Sequence, residues 1–155
     1  MDFKKKNKEK LNSGFTFVEI ISVLAIMAIL ATVVTMSFSS VGGKQSLEKA
    51  TISVISIFNE AKSMAISSKD FSDYGVRVES DKLTSFKGSY GNENTIYSLP
   101  NLVTISNISL GGSDVIFKRV SGSTTATGTI TISLINDQSE NNIIKISQTG
   151  LIEKI

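Results

Sequence analysis

The sequence predicts an α+β fold in which one long N-terminal helix packs on antiparallel β-sheet. Three observations carry this. Residues 20–43 form an uncharged and largely apolar run. Apolar residues then recur at spacings of three and four as far as about residue 68. From Tyr74 onward the period falls to two, and turn residues divide the chain into short segments. One helix followed only by strands is an α+β order, with the helix covering the sheet.

The first part of the helix is the least ordinary. The apolar heart at 20–38 is interrupted only by Ser22, Thr32, Thr35 and Ser37. A membrane-crossing helix needs about 20 mostly apolar residues, so the run predicts a transmembrane segment within 15–43. Ahead of it, residues 1–14 carry Lys4, Lys5, Lys6, Lys8 and Lys10 against Asp2 and Glu9, a balance of +3. Lysines on this flank stay cytoplasmic, which puts the C-terminal domain outside the cytoplasm. Glu19 stands one turn into the apolar region. An acid deep in a bilayer costs about 2.5–3.5 kcal/mol on insertion scales, and such residues are usually functional. If the chain is cut between Gly14 and Phe15, a new amine lies four residues from Glu19. Glu19 would then pair with that amine or with the amine of a neighbouring subunit. The favourable field of a helix N-terminus is a second, local reason for an acid here.

Composition narrows the chemistry. The chain has 155 residues, 41% of them hydrophobic and 19% charged, with no cysteine and no histidine. Disulfides, thiolate zinc sites, Ser-His-Asp and Cys-His arrangements are therefore absent. No cofactor or metal is expected, and an enzyme is not. The carboxylates Asp70, Asp73, Glu79 and Asp81 lie close together, but at strand ends and turns, where solvated acids are ordinary. Beyond residue 14 the remaining 141 residues hold 11 basic and 12 acidic side chains, a balance of −1. That argues against a general nucleic-acid surface.

The order Ser13-Gly14-Phe15-Thr16-Phe17-Val18-Glu19, between a basic leader and an apolar helix, resembles the prepilin peptidase site of type IV pilins and type II secretion pseudopilins. The resemblance implies cleavage after Gly14 by prepilin peptidase, N-methylation of Phe15, and pairing of Glu19 with a subunit amine during filament assembly. The partners it implies are the peptidase, the membrane and other pilin or pseudopilin subunits. The division that follows is a leader at 1–14, a transmembrane and assembly helix at 15–43, and a globular pilin-like domain at 44–155. A signal-anchored surface domain is the alternative that would share the lysines and the apolar helix. It accounts for neither Glu19 nor the Gly-Phe boundary.

Gly42-Gly43 predicts a bend or loosened turn, since each glycine costs roughly 1 kcal/mol in a helix relative to alanine. Ser46 would cap the helix beyond a break. From 44 to about 68, Leu47, Ala50, Thr51, Val54, Phe58, Ala61 and Ala65 form the core stripe, widened by Ile57 and Met64. Ile52 and Ile55 lie largely off it and are read as a broad core face or as contacts with neighbouring subunits. Residues 74–79 and 82–87 read as a hairpin, with Tyr74, Val76 and Val78 on one side. Short strands follow at 96–99 and 102–105, then a turn at 111–113. The clearest strands are 115–120, 128–135, 143–147 and 151–155, with Ile130, Ile132 and Leu134 inward. Residues 121–127 read as a flexible loop.

The C-terminal strand pattern also resembles the H-type minor pseudopilins and FimT-like pilins. It runs Ile116-Phe117-Lys118-Arg119-Val120-Ser121-Gly122, then 129–134, then Ile144-Lys145-Ile146-Ser147 and Gly150-Leu151-Ile152. The DNA-binding FimT branch carries two arginines shortly after the corresponding glycine; here Leu151, Ile152, Glu153 and Lys154 follow Gly150. A DNA-capturing minor pilin of a competence system is the alternative function, and Lys118, Arg119, Lys145 and Lys154 are its candidate contacts. Ordinary solvated charges on strand faces are the favoured reading of these four. The function expected is a minor pilin or pseudopilin subunit of a type IV pilus or type II secretion pseudopilus.

Overall fold

A computed structural model describes residues 15–91 and 94–155, without the side chains of 33–41. The leader at 1–14, with Gly14, lies outside the described residues. The chain divides into two compact units at Ser39/Ser40. Helix α1, Phe17–Ile66, runs through the division.

In the second unit, eight strands follow the helix among the described residues: β1 Tyr74–Val78, β2 Lys82–Lys87, β3 Thr95–Ser98, β4 Val103–Ser109, β5 Asp114–Phe117, β6 Gly128–Leu134, β7 Asn141–Ile146 and β8 Ile152–Lys154. They form two four-stranded sheets, ordered β3-β2-β1-β5 and β4-β6-β7-β8. Every pairing is antiparallel. The α+β order is as expected, and the strands divide between two sheets.

The predicted helix stripe is the core. Leu47, Ala50, Thr51, Val54, Ile57, Phe58, Ala61 and Ala65 are all buried. They join Val76, Leu83, Val115 and Phe117 of one sheet and Ile105, Ile130, Ile132 and Ile144 of the other in one apolar cluster. The Phe58 and Phe117 rings meet edge to face at 6.5 Å, a favoured aromatic geometry. Thr51 is the polar member of the stripe. Its hydroxyl donates to the Leu47 carbonyl at 2.8 Å and accepts from Asn142 Nδ2 at 3.0 Å. Burial leaves it satisfied, so it costs little.

Five local expectations are corrected. Helix α1 continues through Gly42-Gly43. A Cβ on Gly43 would lie 3.1 Å from Leu134 Cδ1, so this glycine admits a close approach of helix to strand. Ser46 is accordingly no cap; its hydroxyl donates to the Gly42 carbonyl one turn back at 2.9 Å. Ile55 packs partly against the core, but Ile52 is 59% exposed. The strand expected at 115–120 stops at Phe117, because Lys118 N–H turns to the Ser123 carbonyl and Val120 N–H caps the helix at the Ala65 carbonyl. Residues 121–127 are not loose: Gly122, Thr124 and Ala126 are buried, and Thr124 N–H is bonded to the Gln148 carbonyl.

Polar contacts fasten the helix and the loop after it to both sheets. Lys154 Nζ lies 2.6 Å from Glu48 Oε2, and Asn142 Nδ2 donates to the same oxygen at 3.3 Å. Lys44 pairs with Glu140 at 2.9 Å. After the helix, Asp73 accepts from the Arg119 backbone N–H at 2.7 Å and pairs with Lys118 at 3.2 Å. Asp70 pairs with Lys87 at 3.3 Å and accepts from the Tyr74 hydroxyl.

Candidate functional site

The first unit carries the site the sequence singles out. Phe15 and Thr16 precede the helix, and the Ile20 N–H makes the first helical bond, to the Thr16 carbonyl at 3.2 Å. Thr16 is the N-cap: its hydroxyl accepts from the Glu19 backbone N–H at 3.2 Å. A threonine at the cap with a glutamate three residues on is the capping-box spacing. Glu19 thereby stands in the first helical turn, with its backbone N–H satisfied by the Thr16 hydroxyl.

Every residue from 15 to 32 is exposed, and Glu19 is the single charged side chain among them. Such a helix, apolar on all sides, needs an apolar surrounding that its own unit does not supply. The polar residues in the run do not break its apolar surface. Ser22 donates to the Val18 carbonyl at 2.8 Å and Thr32 to the Ile29 carbonyl at 2.7 Å, so both hydroxyls fold back on the helix. Among the described residues no helix is long and apolar enough to cross a membrane. The predicted run at 20–38 extends into 33–41, where side chains are not described.

Glu19 lies in a shallow groove of about 200 Å³ with Phe15, Ile20, Val23 and Leu24. Its lining is otherwise apolar, and every residue that lines it is exposed. Phe15 and Glu19 thus share one groove. Sequence spacing alone showed the four-residue separation. The Thr16 cap was missed, although the Thr-x-x-Glu pattern was there to be read.

The four candidate phosphate-contacting cations are dispersed. Lys118 and Arg119 follow β5 in one sheet; Lys145 and Lys154 lie on β7 and β8 in the other. Lys118 is paired with Asp73, and Lys154 with Glu48. Arg119 Nη1 donates to the Phe71 carbonyl at 3.4 Å, and Lys145 sits opposite Glu153 in the β7–β8 register. Leu151, which follows Gly150, is exposed. Among the described residues no group of histidine, cysteine, aspartate or glutamate has the arrangement of a metal site.

Comparison with known proteins gives one match at the head of the chain and others to its fold. The prokaryotic N-terminal methylation motif matches residues 10–35. No curated protein matches the chain. Among solved structures, the type IV minor pilin FimU of Pseudomonas aeruginosa superposes with a TM-score of 0.56 at 17% identity, over 70% of this chain and 92% of that one. A second crystal form of FimU gives 0.57 at 16% identity, over 70% and 87%. The minor pseudopilin EpsH of the Vibrio cholerae type 2 secretion system gives 0.53 at 14%, over 71% and 96%. The chain is therefore pilin-like: it has a methylation motif at its head and the fold of minor pilins and minor pseudopilins behind it.

Proposed function

We propose that this pilin-like chain is a minor pilin or pseudopilin subunit, processed at Gly14–Phe15 and assembled through its N-terminal helix into a type IV pilus or type II secretion pseudopilus. The observation that carries this is the position of Glu19, the lone charge in a wholly exposed apolar helix segment that opens with the methylation motif.

The proposed course follows from the physical chemistry. Before assembly, the apolar helix holds the chain in the cytoplasmic membrane, with residues 44–155 on the outer side. Prepilin peptidase removes residues 1–14 and methylates the Phe15 amine. On assembly the helix passes from lipid into a bundle of subunit helices. Lipid is as apolar as the bundle, so close packing and specific polar contacts drive the exchange. Glu19 supplies such a contact by receiving a neighbouring subunit's Phe15 amine in its groove. The Thr16 hydroxyl caps the helix through the Glu19 backbone N–H and makes no use of the carboxylate. The internal contacts of Lys118, Lys154 and Arg119 favour this reading over DNA capture.

The test is to express the full chain in a host with a type IV pilus or type II secretion system and to probe sheared filaments for it. Peptidase-dependent presence in that fraction supports the proposal. Processed chain that stays wholly in the membrane fraction overturns it.

A further inference from the structure

The helix and the edge strand β3 leave a groove that the assembly site does not use. It has a volume of about 620 Å³ and lies in the second unit. Its helix wall includes Ile52, Ile57 and Glu60, and its sheet wall includes Leu83, Tyr97 and Leu99. Ile52, which falls off the core stripe, is 59% exposed at its rim. Among the described residues Glu60 is the single charged residue lining it, and it is exposed to solvent. The Tyr97 phenol is pushed up by burial and by the neighbouring Glu60 carboxylate, and Ser53, Ser56 and Ser98 add hydroxyls to the apolar lining. Strand β3 ends its sheet, so among the described residues its outer edge pairs with no strand. An unpaired edge offers backbone donors and acceptors to an added strand.

From these features we infer that the groove is a docking site for an extended segment of a partner protein that carries a lysine or arginine. The segment adds to the free edge of β3, about 4.8 Å away. Its inward side chain, level with Tyr97, then enters the cleft. A long cationic side chain suits this space: its methylene stem covers Ile52 and Leu99 while its charged head reaches Glu60. The complementarity of one carboxylate to one cation selects against acidic segments. This inference does not depend on the role given to Glu19, because all the groove residues lie in the second unit.

The experiment is an NMR titration of the isotope-labelled full chain in detergent micelles. The probes are two capped pentapeptides, Thr-Val-Lys-Val-Thr and Thr-Val-Glu-Val-Thr. The expected result is movement of the β3 and 52–60 amides by the lysine peptide, at least about tenfold tighter than by the glutamate peptide, with that preference abolished in Glu60→Gln. Ile52→Asp, at an exposed position, is expected to weaken both peptides. Equal binding of the two peptides, shifts elsewhere on the domain, or a preference that survives Glu60→Gln would overturn the inference. So would concentration-dependent movement of the groove amides without peptide, which would give the groove to a second copy of the chain.

Discussion

The Thr16 hydroxyl accepts the backbone N–H of Glu19 at 3.2 Å, and so the cap of the helix and its only exposed apolar-segment charge are one local structure. Thr16→Ala removes that acceptor and should loosen the first turn by about 1 kcal/mol. Hydrogen exchange at the amides of residues 18–20 is expected to quicken, while that of the core helix around Val54 stays unchanged. Unchanged exchange at Glu19 would show that the cap contributes nothing.

Glu19 itself is expected to matter only when subunits meet. In the proposed assembly, Glu19→Ala and Glu19→Gln would leave a neighbouring amine without its partner in the bundle. Breaking one side of a buried pair costs about 3–5 kcal/mol. Incorporation into sheared filaments should therefore fall at least about tenfold, with cleavage after Gly14 unaffected. Normal incorporation of both variants would remove the role assigned to this carboxylate.

On the outer face of the first sheet, Phe86 lies across Gly75, its register partner. A Cβ at position 75 would overlap the Phe86 ring. The ring is also held edge to face by Tyr90, over which Arg77 stacks at 3.5 Å while pairing with Asp114. Gly75→Ala is thus expected to destabilise the domain by about 1–3 kcal/mol through forced displacement of ring or strand. Denaturant melts compared with Phe86→Leu in the same background test this, since the smaller residue should relieve part of the loss.

Phe58 carries the helix into the core and is fully buried against Phe117. Phe58→Ala should cost about 3–5 kcal/mol. The expected readout is a matching drop in the denaturation midpoint with an unchanged slope.

Acid should loosen the contacts that follow the helix. The Arg119 backbone N–H, with Lys118 beside it, holds the Asp73 carboxyl below the ordinary aspartate value of 3.8. A lowered acid favours the folded state above 3.8, and that contribution disappears as the pH falls through the lowered value. Thermal melts from pH 6 to pH 3 should show a larger loss for the native chain than for Asp73→Asn. Equal losses would mean that Asp73 does not contribute to the acid response.

Much of the fold was legible because periodicity reports burial directly. The stripe from Leu47 to Ala65 and the inward Val76, Val78, Ile130 and Ile132 are buried as their spacing requires. Pairing of distant strands has no such local signal. Nothing in the sequence around Asp114 says that β5 joins β1, so the division into two sheets emerged only from the structure. Gly42-Gly43 misled because local propensity counts the cost of glycine but not what it admits, here Leu134 against Gly43. Residues 121–127 have a loop's composition, yet backbone bonds and the buried Thr124 fix them. At the candidate site, Phe15 and Glu19 were legible from order and spacing. The β3 groove was not, since Glu60, Tyr97 and Ile52 come together only through tertiary packing.

Mass spectrometry of the mature N-terminus, after co-expression of the full chain with a prepilin peptidase, tests the central claim most directly. A chain that begins at N-methylated Phe15 is the result predicted here. An intact Met1 leader in the presence of active peptidase would contradict it, leaving a signal-anchored domain whose apolar helix serves only as an anchor.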